Sequence, residues 1–427
     1  MRDIFVLLVV LGSLPLILYR PYIGILVWSW LAYMNPHRLS WGFAYDFPFA
    51  QIVAMVIMVA LVFSKEPKKI PWTRETIVLV VFIFWMLVTT LNANYGDLAW
   101  AQFIKVIKIQ VATFLTLIIM NDKNRLVLLA WAIALSLGFF GVKGGIFTAL
   151  TGGSQHVLGP YGTFIGGNNE LGLALIMTVP LMRFLQLTHE QKWIKMGMTG
   201  AMALTFIAIL GTQSRGALLG VAAMGFMLAM KSRRRVMLLT MMILLIPVAL
   251  MIMPDSWYER MGTIQTYEED ASAQGRLIVW KKAINIALDS PITGGGFETF
   301  AGGRDVHSIY FEVLAEHGFV GLFIFILLAV FAWRSCSQII KRTKDSIDKK
   351  WMGDLASMLQ VSLLGYAISG AFLGLAYFDL YYHLIAMIIL LRYLDEKDDG
   401  VNEPVVEKQA GNHDIHGRFR FTRPSRS

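Results

Sequence analysis

Two arginines and a histidine, far apart in the chain, have the chemistry to bind a phosphate group and to move a proton. Arg215 lies in the short polar stretch GTQSRGALLG, Arg276 follows QG in QGRLIVWKK, and His307 precedes SIYFEV. Guanidinium groups bind phosphate oxygens in bidentate fashion and stay charged at any working pH. Histidine titrates near neutrality and can take a proton from an attacking hydroxyl. Together these side chains suit a glycosyl or phosphoryl transferase that binds a diphosphate leaving group and activates an alcohol.

Each of these residues also has a purely structural explanation. Arg215 can extend its charge to the membrane interface, and Arg276 can contact lipid headgroups. His307 can cap the helix that follows it, and Arg304 can pair with its neighbour Asp305. The residue types alone therefore leave the choice between a site and a set of surface contacts open.

Other patterns in the sequence point to chemistry less strongly. The acidic stretch YEEDAS at 267–272 reads as a solvated loop rather than a metal site. The stretch GGGFETFAGG lacks the lysine and the preceding strand of a nucleotide-binding loop, so its glycines are predicted to form turns. His156 and His317 are lone histidines, for which a structural role is expected. Lys105, Lys108 and Lys143 lie within apolar helices, where they can line a route for anionic headgroups or extend to the interface.

Composition places these residues in a membrane protein. Hydrophobic residues make up 56% of the 427 positions, and the mean hydropathy is +0.58, which exceeds what one soluble core could bury. We therefore predict an all-α polytopic membrane protein of 12 or 13 spans. Eleven apolar segments are expected to cross the membrane: 49–63, 76–91, 100–120, 126–149, 169–187, 193–211, 215–230, 236–253, 309–333, 355–374 and 378–393. The remaining apolar region, 4–34, is interrupted by Arg20-Pro21, which either kinks one helix or turns a short hairpin.

The basic residues predict the orientation of the chain, because Lys and Arg collect in cytoplasmic loops. One alternating set of loops carries 18 of them: 64–75, 121–125, 188–195, 231–235 and 334–350. The other set carries only 7: 35–48, 92–99, 150–168, 211–215, 254–308 and 375–377. The first set is predicted to be cytoplasmic and the second to face outward. The net charge of +9 follows mostly from this topology, and no nucleic-acid partner is indicated.

The large outward segment, 254–308, contains a predicted amphipathic helix at 276–289. Apolar residues recur at close to helical spacing, while Lys281, Lys282 and Asn285 supply a polar face. The apolar positions are Leu277, Trp280, Ile284, Ala287 and Leu288. We expect this helix to lie on the outer membrane surface and to end at Ser290-Pro291. The three candidate residues then share one side of the membrane.

Several stretches resemble the O-antigen ligase superfamily over most of the chain, from about Arg20 to Tyr393. They are RPYIGILVWSWLAYMNPHRLSWGFAYDFPFAQIVA, NNELGLALIMTVPLMR, TQSRGALLG, QGRLIVWKKAINIALDSPITGGGF and HSIYFEVLAEHGFVGL. The first of these is similar to the branch of O-glycosylation ligases associated with exosortase A systems. The arginine and histidine motifs are shared with related polymerases.

The resemblance implies a GT-C-like inner-membrane glycosyltransferase with a periplasmic active site. Such enzymes move a glycan from undecaprenyl diphosphate to an acceptor hydroxyl, which is a lipid A-core sugar in O-antigen ligases, and they use neither metal nor other cofactor. Arg215 and Arg276 fall on the diphosphate-binding arginines of the family, and His307 falls on its catalytic histidine. Gln213, Arg304 and Tyr310 are expected as further contacts because they lie nearby in sequence.

The expected organisation is one integral membrane domain, 1–394, that includes the periplasmic loop 254–308, followed by a disordered cytoplasmic tail, 395–427. Three alternatives to the ligase remain at this point. A polymerase of the same superfamily would extend one lipid-linked glycan with another, and a protein O-glycosyltransferase would use a polypeptide acceptor. A lipid-linked glycan transporter would place its charges near the midplane and on broken helices.

Overall fold

The described residues form α-helices joined by loops, and none of them lies in a β-strand. A computed structural model describes residues 1–232, 235–237, 239–240, 243–244, 271–300 and 305–402. We number the longer helices in these ranges as α1 (Arg2–Tyr19), α2 (Pro21–Tyr33), α3 (Phe49–Phe63), α4 (Arg74–Leu91), α5 (Gly96–Ile119), α6 (Lys123–Thr151), α7 (Asn168–Thr188), α8 (Lys192–Gly211), α9 (Arg215–Lys231), α10 (Ala271–Asp289), α11 (Ile309–Arg342), α12 (Lys350–Ser369) and α13 (Asp379–Asn402). Two 3₁₀ turns occupy Pro36–Leu39 and Gly370–Phe372.

The helices make the chain an all-α polytopic membrane protein. Within the described ranges, eight helices are long and apolar enough to cross a bilayer: α1, α4, α5, α6, α7, α8, α11 and α12 with the 3₁₀ turn that follows it. Ten of the eleven predicted spans coincide with helices. Most of the other one, 236–253, lies outside the described residues, as do 254–270 and 403–427 of the predicted loop and tail.

The N-terminal apolar region forms a helical hairpin. Arg20 has an extended backbone (φ −137°, ψ 93°) and separates α1 from α2, and Pro21 occupies the first position of α2, where its missing N–H breaks no helical hydrogen bond. Asp3 near the start of α1 accepts hydrogen bonds from the N–H groups of Gly42 (3.1 Å) and Ala44 (3.2 Å). The start of α1 therefore lies beside the loop that follows α2, and Arg20-Pro21 is a turn rather than a kink.

Charged pairs hold together one end of the helix bundle. Arg125 at the start of α6 binds Glu66 through both guanidinium nitrogens (2.6 and 2.8 Å). The fully buried Glu75 carboxylate of α4 lies 3.0 Å from Arg74 Nε and 3.3 Å from Arg392 Nη1 of α13. We call this the basic end, because it gathers loops of the lysine- and arginine-rich set.

The opposite end gathers the loops of the other set. Gln213 Nε2, between α8 and α9, donates to Gly153 O after α6 (2.8 Å). Ala376 N, between α12 and α13, donates to the Glu312 carboxylate of α11 (3.0 Å). These contacts group the loops as the alternation along the sequence predicted.

A glycine kink near the start of α11 shapes this opposite end. Gly318 has φ 68° and ψ −172°, a conformation that interrupts the helix and that L side chains rarely adopt. The N–H of Phe319 donates to Pro291 O (2.9 Å) instead of to the helix. A Cβ atom on Gly318 would lie 2.4 Å from Ile292 O, so the residue must be glycine for this close approach.

The glycine-rich stretch after α10 fills the gap that the kink opens. Gly295 N donates to Ala315 O (2.8 Å) and Gly296 N donates to Glu316 O (2.9 Å), carbonyls of the turn that the kink interrupts. Gly295 O accepts in turn from the N–H of Asn94, between α4 and α5 (2.9 Å). The prediction of turns is confirmed for the glycines at 294–296, whereas Gly302 and Gly303 lie outside the described residues. These turns fix where the chain enters α11.

Candidate active site

Arg215 is the first residue of α9 and lies at the opposite end of the bundle from the basic loops. Ser214 caps the helix by accepting a hydrogen bond from Ala217 N (3.2 Å). Gln213 is buried and has a positive φ of 51°, which costs free energy for any residue other than glycine. The positive end of the helix dipole and the arginine both favour an anion here.

Arg276 lies on α10, one helical turn before the residue that docks this helix. Trp280 stacks on Phe311 of α11 with ring centroids 5.0 Å apart, and its indole N–H donates to Val306 O (2.9 Å). The side of α10 that carries Arg276 faces the protein, since its neighbours on that side are buried: Val279, Ala283 and Ala287. The helix ends at Asp289, before Ser290-Pro291, as predicted, and begins five residues earlier than expected.

The apolar residues predicted on α10 divide between two directions. Trp280 and Ala287 pack toward α11, whereas Leu277, Ile284 and Leu288 remain 52%, 40% and 61% exposed. An exposed apolar stripe beside a polar face is typical of helices that lie in a membrane surface.

His307 stands in a strained backbone conformation just before α11. Its φ is 50°, and its imidazole is 37% exposed. Nδ1 lies 3.4 Å from Asp305 Oδ2, an ion-pair distance without the alignment of a hydrogen bond. The sequence offered Arg304 as the partner of Asp305; Arg304 lies outside the described residues, and Asp305 is the carboxylate beside His307. The spacing Asp-x-His was the one sequence signal for this neighbour.

The segments that carry Arg215, Arg276 and His307 meet around Phe372. This ring lies 6.4 Å from that of Trp280, and a Cβ atom on Gly216, next to Arg215, would lie 3.3 Å from Phe372 Cβ. Trp280 in turn holds Val306, the neighbour of His307. Tertiary contacts thus bring together three segments that are far apart in the chain.

Tyr310 binds another helix with its hydroxyl group. Its O–H donates to Ala367 O of α12 (2.9 Å), and the side chain is only partly buried. This contact fixes the first turn of α11, which follows His307 directly. The hydroxyl proton of Tyr310 is therefore used in the hydrogen bond to Ala367 O. A substrate can still contact the edge of the Tyr310 ring or donate a hydrogen bond to the hydroxyl oxygen.

A buried polar network lies beneath these segments, and the sequence gave no sign of it. His317 is fully buried, with Nδ1 2.7 Å from Thr89 Oγ1 and Nε2 2.8 Å from the Tyr377 hydroxyl. The Tyr377 hydroxyl donates to the Glu316 carboxylate (2.6 Å). The ring of Phe297 packs edge-on against the His317 imidazole, with the ring centroids 4.6 Å apart. The structural role expected for His317 is therefore confirmed.

Burial and the nearby Glu316 and Glu312 carboxylates raise the pKa of Tyr377 well above its usual value. Tyr377 consequently stays a neutral donor at working pH. It joins the loop after α12 to the start of α11 and thereby supports the backbone that carries His307.

Comparison of the sequence with known protein families finds a match for the part of the chain that carries the three candidate residues. Residues 200–326 match the family model described as O-antigen ligase. This segment, 200–326, belongs to the O-antigen ligase superfamily. The match to the ligase model contains Arg215, Arg276 and His307, whereas Phe372, around which their segments meet, follows the matched range. Residues 1–190 match a second model, described as a family of unknown function, and no curated protein matches the chain.

The match to the O-antigen ligase family supports a general activity for the protein. That activity is a ligase function of glycosyltransferase type, for which the family implies a lipid-linked glycan as donor and an acceptor at the membrane.

Proposed function

We propose that this ligase moves a glycan from undecaprenyl diphosphate to an acceptor hydroxyl, a sugar of the lipid A-core, at the periplasmic face of a bacterial inner membrane. The observation that carries the proposal is the meeting of the Arg215, Arg276 and His307 segments around Phe372, at the end of the bundle away from the basic loops. An anion-binding pair and a base on one surface are what this reaction needs.

The proposed reaction is a single displacement. His307 takes the proton of the acceptor hydroxyl, whose oxygen attacks the anomeric carbon from the face opposite the diphosphate. The bond between that carbon and the diphosphate oxygen breaks, the electron pair leaves with the diphosphate, and the configuration inverts. Arg215 and Arg276 stabilise the charge that grows on the leaving group. Asp305 stabilises the imidazolium that forms, as a carboxylate does beside a catalytic histidine.

The backbone at the proposed site supports this assignment. Among the described residues, four other than glycine have a positive φ, and two of them, Gln213 and His307, adjoin the proposed site. Such conformations cost roughly 1 to 3 kcal/mol each and cluster at functional sites. In His307 the strain accompanies a ring that stays partly open to solvent.

Transfer by the purified full-length protein tests the proposal. We expect undecaprenyl-diphosphate glycan and rough lipopolysaccharide to give a lipopolysaccharide ladder, with the new glycosidic bond inverted. The ladder should persist in excess EDTA, because the resembled family works without metal. Activity lost to EDTA and restored by magnesium would implicate Glu268, Glu269 or Asp270, which lie outside the described residues.

The same reaction separates the alternatives by their products. A polymerase would lengthen the lipid-linked glycan without rough lipopolysaccharide, and a protein O-glycosyltransferase would label a polypeptide. A transporter would move the donor across a vesicle membrane with no covalent product. Any of these products in place of the ladder contradicts the ligase assignment.

Reporter fusions test the side of the membrane. A reporter after Ser427 should report cytoplasm, and one inserted near Tyr267 should report periplasm, since the basic loops and the C-terminus belong to the same side. Alkaline phosphatase and green fluorescent protein are suitable reporters, because they give opposite signals on the two sides of the membrane. The reverse pattern would put the proposed site in the cytoplasm and contradict the proposed mechanism.

A further inference from the structure

An open apolar groove runs along α6, away from the proposed active site. Its volume is about 550 Å³. It lies between α6, α7 and α8, and its lining includes Ala134, Gly138, Lys143, Ile146, Met182 and Ala201. Small residues on α6 and α8 leave this space open, and Lys143 is the charged residue in its lining.

The groove has the length and position of a lipid chain in one leaflet. Ala134 and Ile146 are twelve residues apart on α6, which is about 18 Å at the helical rise of about 1.5 Å per residue. One leaflet of hydrocarbon is about half of the 30 Å core of a bilayer. The groove therefore accommodates one extended acyl chain along the helix axis.

Lys143 lies where the headgroup of such a lipid would be. It follows Lys123, at the basic end of α6, by twenty residues, or about 30 Å along the axis. This distance is similar to the thickness of the hydrocarbon core. An α6 that crosses the membrane with Lys123 at one boundary therefore places Lys143 near the other, in the leaflet on the side of the proposed site. Its side chain is exposed, and it has no hydrogen-bond or ion-pair partner within the described ranges.

We propose that this groove binds an anionic glycerophospholipid, with one acyl chain between α6 and α8 and its phosphate paired with Lys143. Charge complementarity carries the choice of lipid, because the lining offers a single cation and an otherwise apolar wall. The choice of a glycerophospholipid over the polyprenyl donor rests on the proposed function, which assigns the diphosphate of the donor to Arg215 and Arg276.

Lipid binding to the full-length protein tests this site. Delipidated protein is titrated with phosphatidylglycerol or phosphatidylcholine, and bound lipids are counted by native mass spectrometry. Lys143→Gln should weaken phosphatidylglycerol binding about fivefold, the usual contribution of one cation near a membrane surface, and leave phosphatidylcholine unchanged. Ala201→Phe, which fills the groove, should weaken both lipids.

Two matched variants serve as controls. Lys108→Gln removes another exposed lysine of a membrane helix, on α5 and outside the groove, and should leave both lipids bound as in the parent. Ala203→Phe adds the same bulk to an exposed position of α8 outside the groove lining. If Ala201→Phe does not fold, Lys143→Gln still decides, because its side chain is exposed.

Two results would overturn the proposal. Equal losses of phosphatidylglycerol in Lys143→Gln and Lys108→Gln would mean that any exposed lysine of a membrane helix attracts the anionic lipid, without a specific binding site. Displacement of phosphatidylglycerol by undecaprenyl diphosphate, with the same dependence on Lys143, would assign the groove to the donor lipid instead.

Discussion

His307→Ala will lower the rate of glycan transfer about 100- to 10,000-fold while leaving donor binding nearly unchanged. General-base assistance contributes this much to proton-transfer reactions, and the donor does not carry the proton in question. The imidazole is partly exposed, so its removal should not disturb helix packing. The measurement is the initial rate of ladder formation, together with the binding of labelled undecaprenyl-diphosphate glycan to the same preparation.

The matched control is His156→Ala. His156 lies at the same end of the bundle, with Nδ1 3.4 Å from Thr212 O, and has no role in the proposed reaction. It should transfer at the parent rate. Near-normal transfer by His307→Ala would show that His307 is structural, and Glu312 or substrate assistance would then be the next candidate base.

Asp305→Asn examines how His307 is supported. Because the carboxylate is half-exposed and forms no aligned hydrogen bond with the imidazole, although it accepts one from the His307 N–H (3.4 Å), we expect a loss of about tenfold in rate rather than abolition. The measurement is the initial rate of ladder formation, compared with the parent and with His307→Ala. Transfer at the parent rate would show that the Asp305 carboxylate does not support His307.

Arg215→Lys and Arg276→Lys will each lower transfer about 10- to 100-fold and weaken donor binding in parallel. Lysine keeps the charge but loses the planar pair of donors that matches two phosphate oxygens. Hydrogen bonds to charged groups contribute about 1.5 to 3 kcal/mol, which corresponds to this range of rates. Rates at limiting and saturating donor, with direct binding of undecaprenyl diphosphate, separate the two effects.

Arg183→Lys is the control for a general loss of arginine. Arg183 belongs to α7 near the basic end, where it binds Gln186. It should leave donor binding and transfer intact. Unchanged donor binding in both Arg215→Lys and Arg276→Lys would contradict their assignment to the diphosphate and leave them as interfacial arginines.

The sequence by itself determined the class of fold and predicted that the candidate residues lie at the end of the bundle away from the basic loops. A membrane helix satisfies its backbone hydrogen bonds within its own segment, so apolar length predicts each span without knowledge of its neighbours. The Lys and Arg content of each loop likewise predicts at which end of the bundle that loop lies, without knowledge of its neighbours. For the same reason the sequence placed Arg215 at a helix start and ended α10 at Ser290-Pro291, because caps and prolines act over a few residues.

Only the tertiary structure decided which helix faces pack together and what they bring close. In a membrane both lipid-facing and protein-facing residues are apolar, so hydrophobicity does not separate the two faces. Leu135 and Leu137 on α6 illustrate this, since they are 60% and 0% exposed.

The proximity of Asp305 to His307 and the meeting of three segments at Phe372 depend on contacts between parts of the chain that lie far apart. So does the Gly318 kink, which requires the glycine turn after α10 to supply donors for its freed carbonyls. No local pattern encodes such contacts, because each depends on the position of a partner that the folded bundle alone supplies.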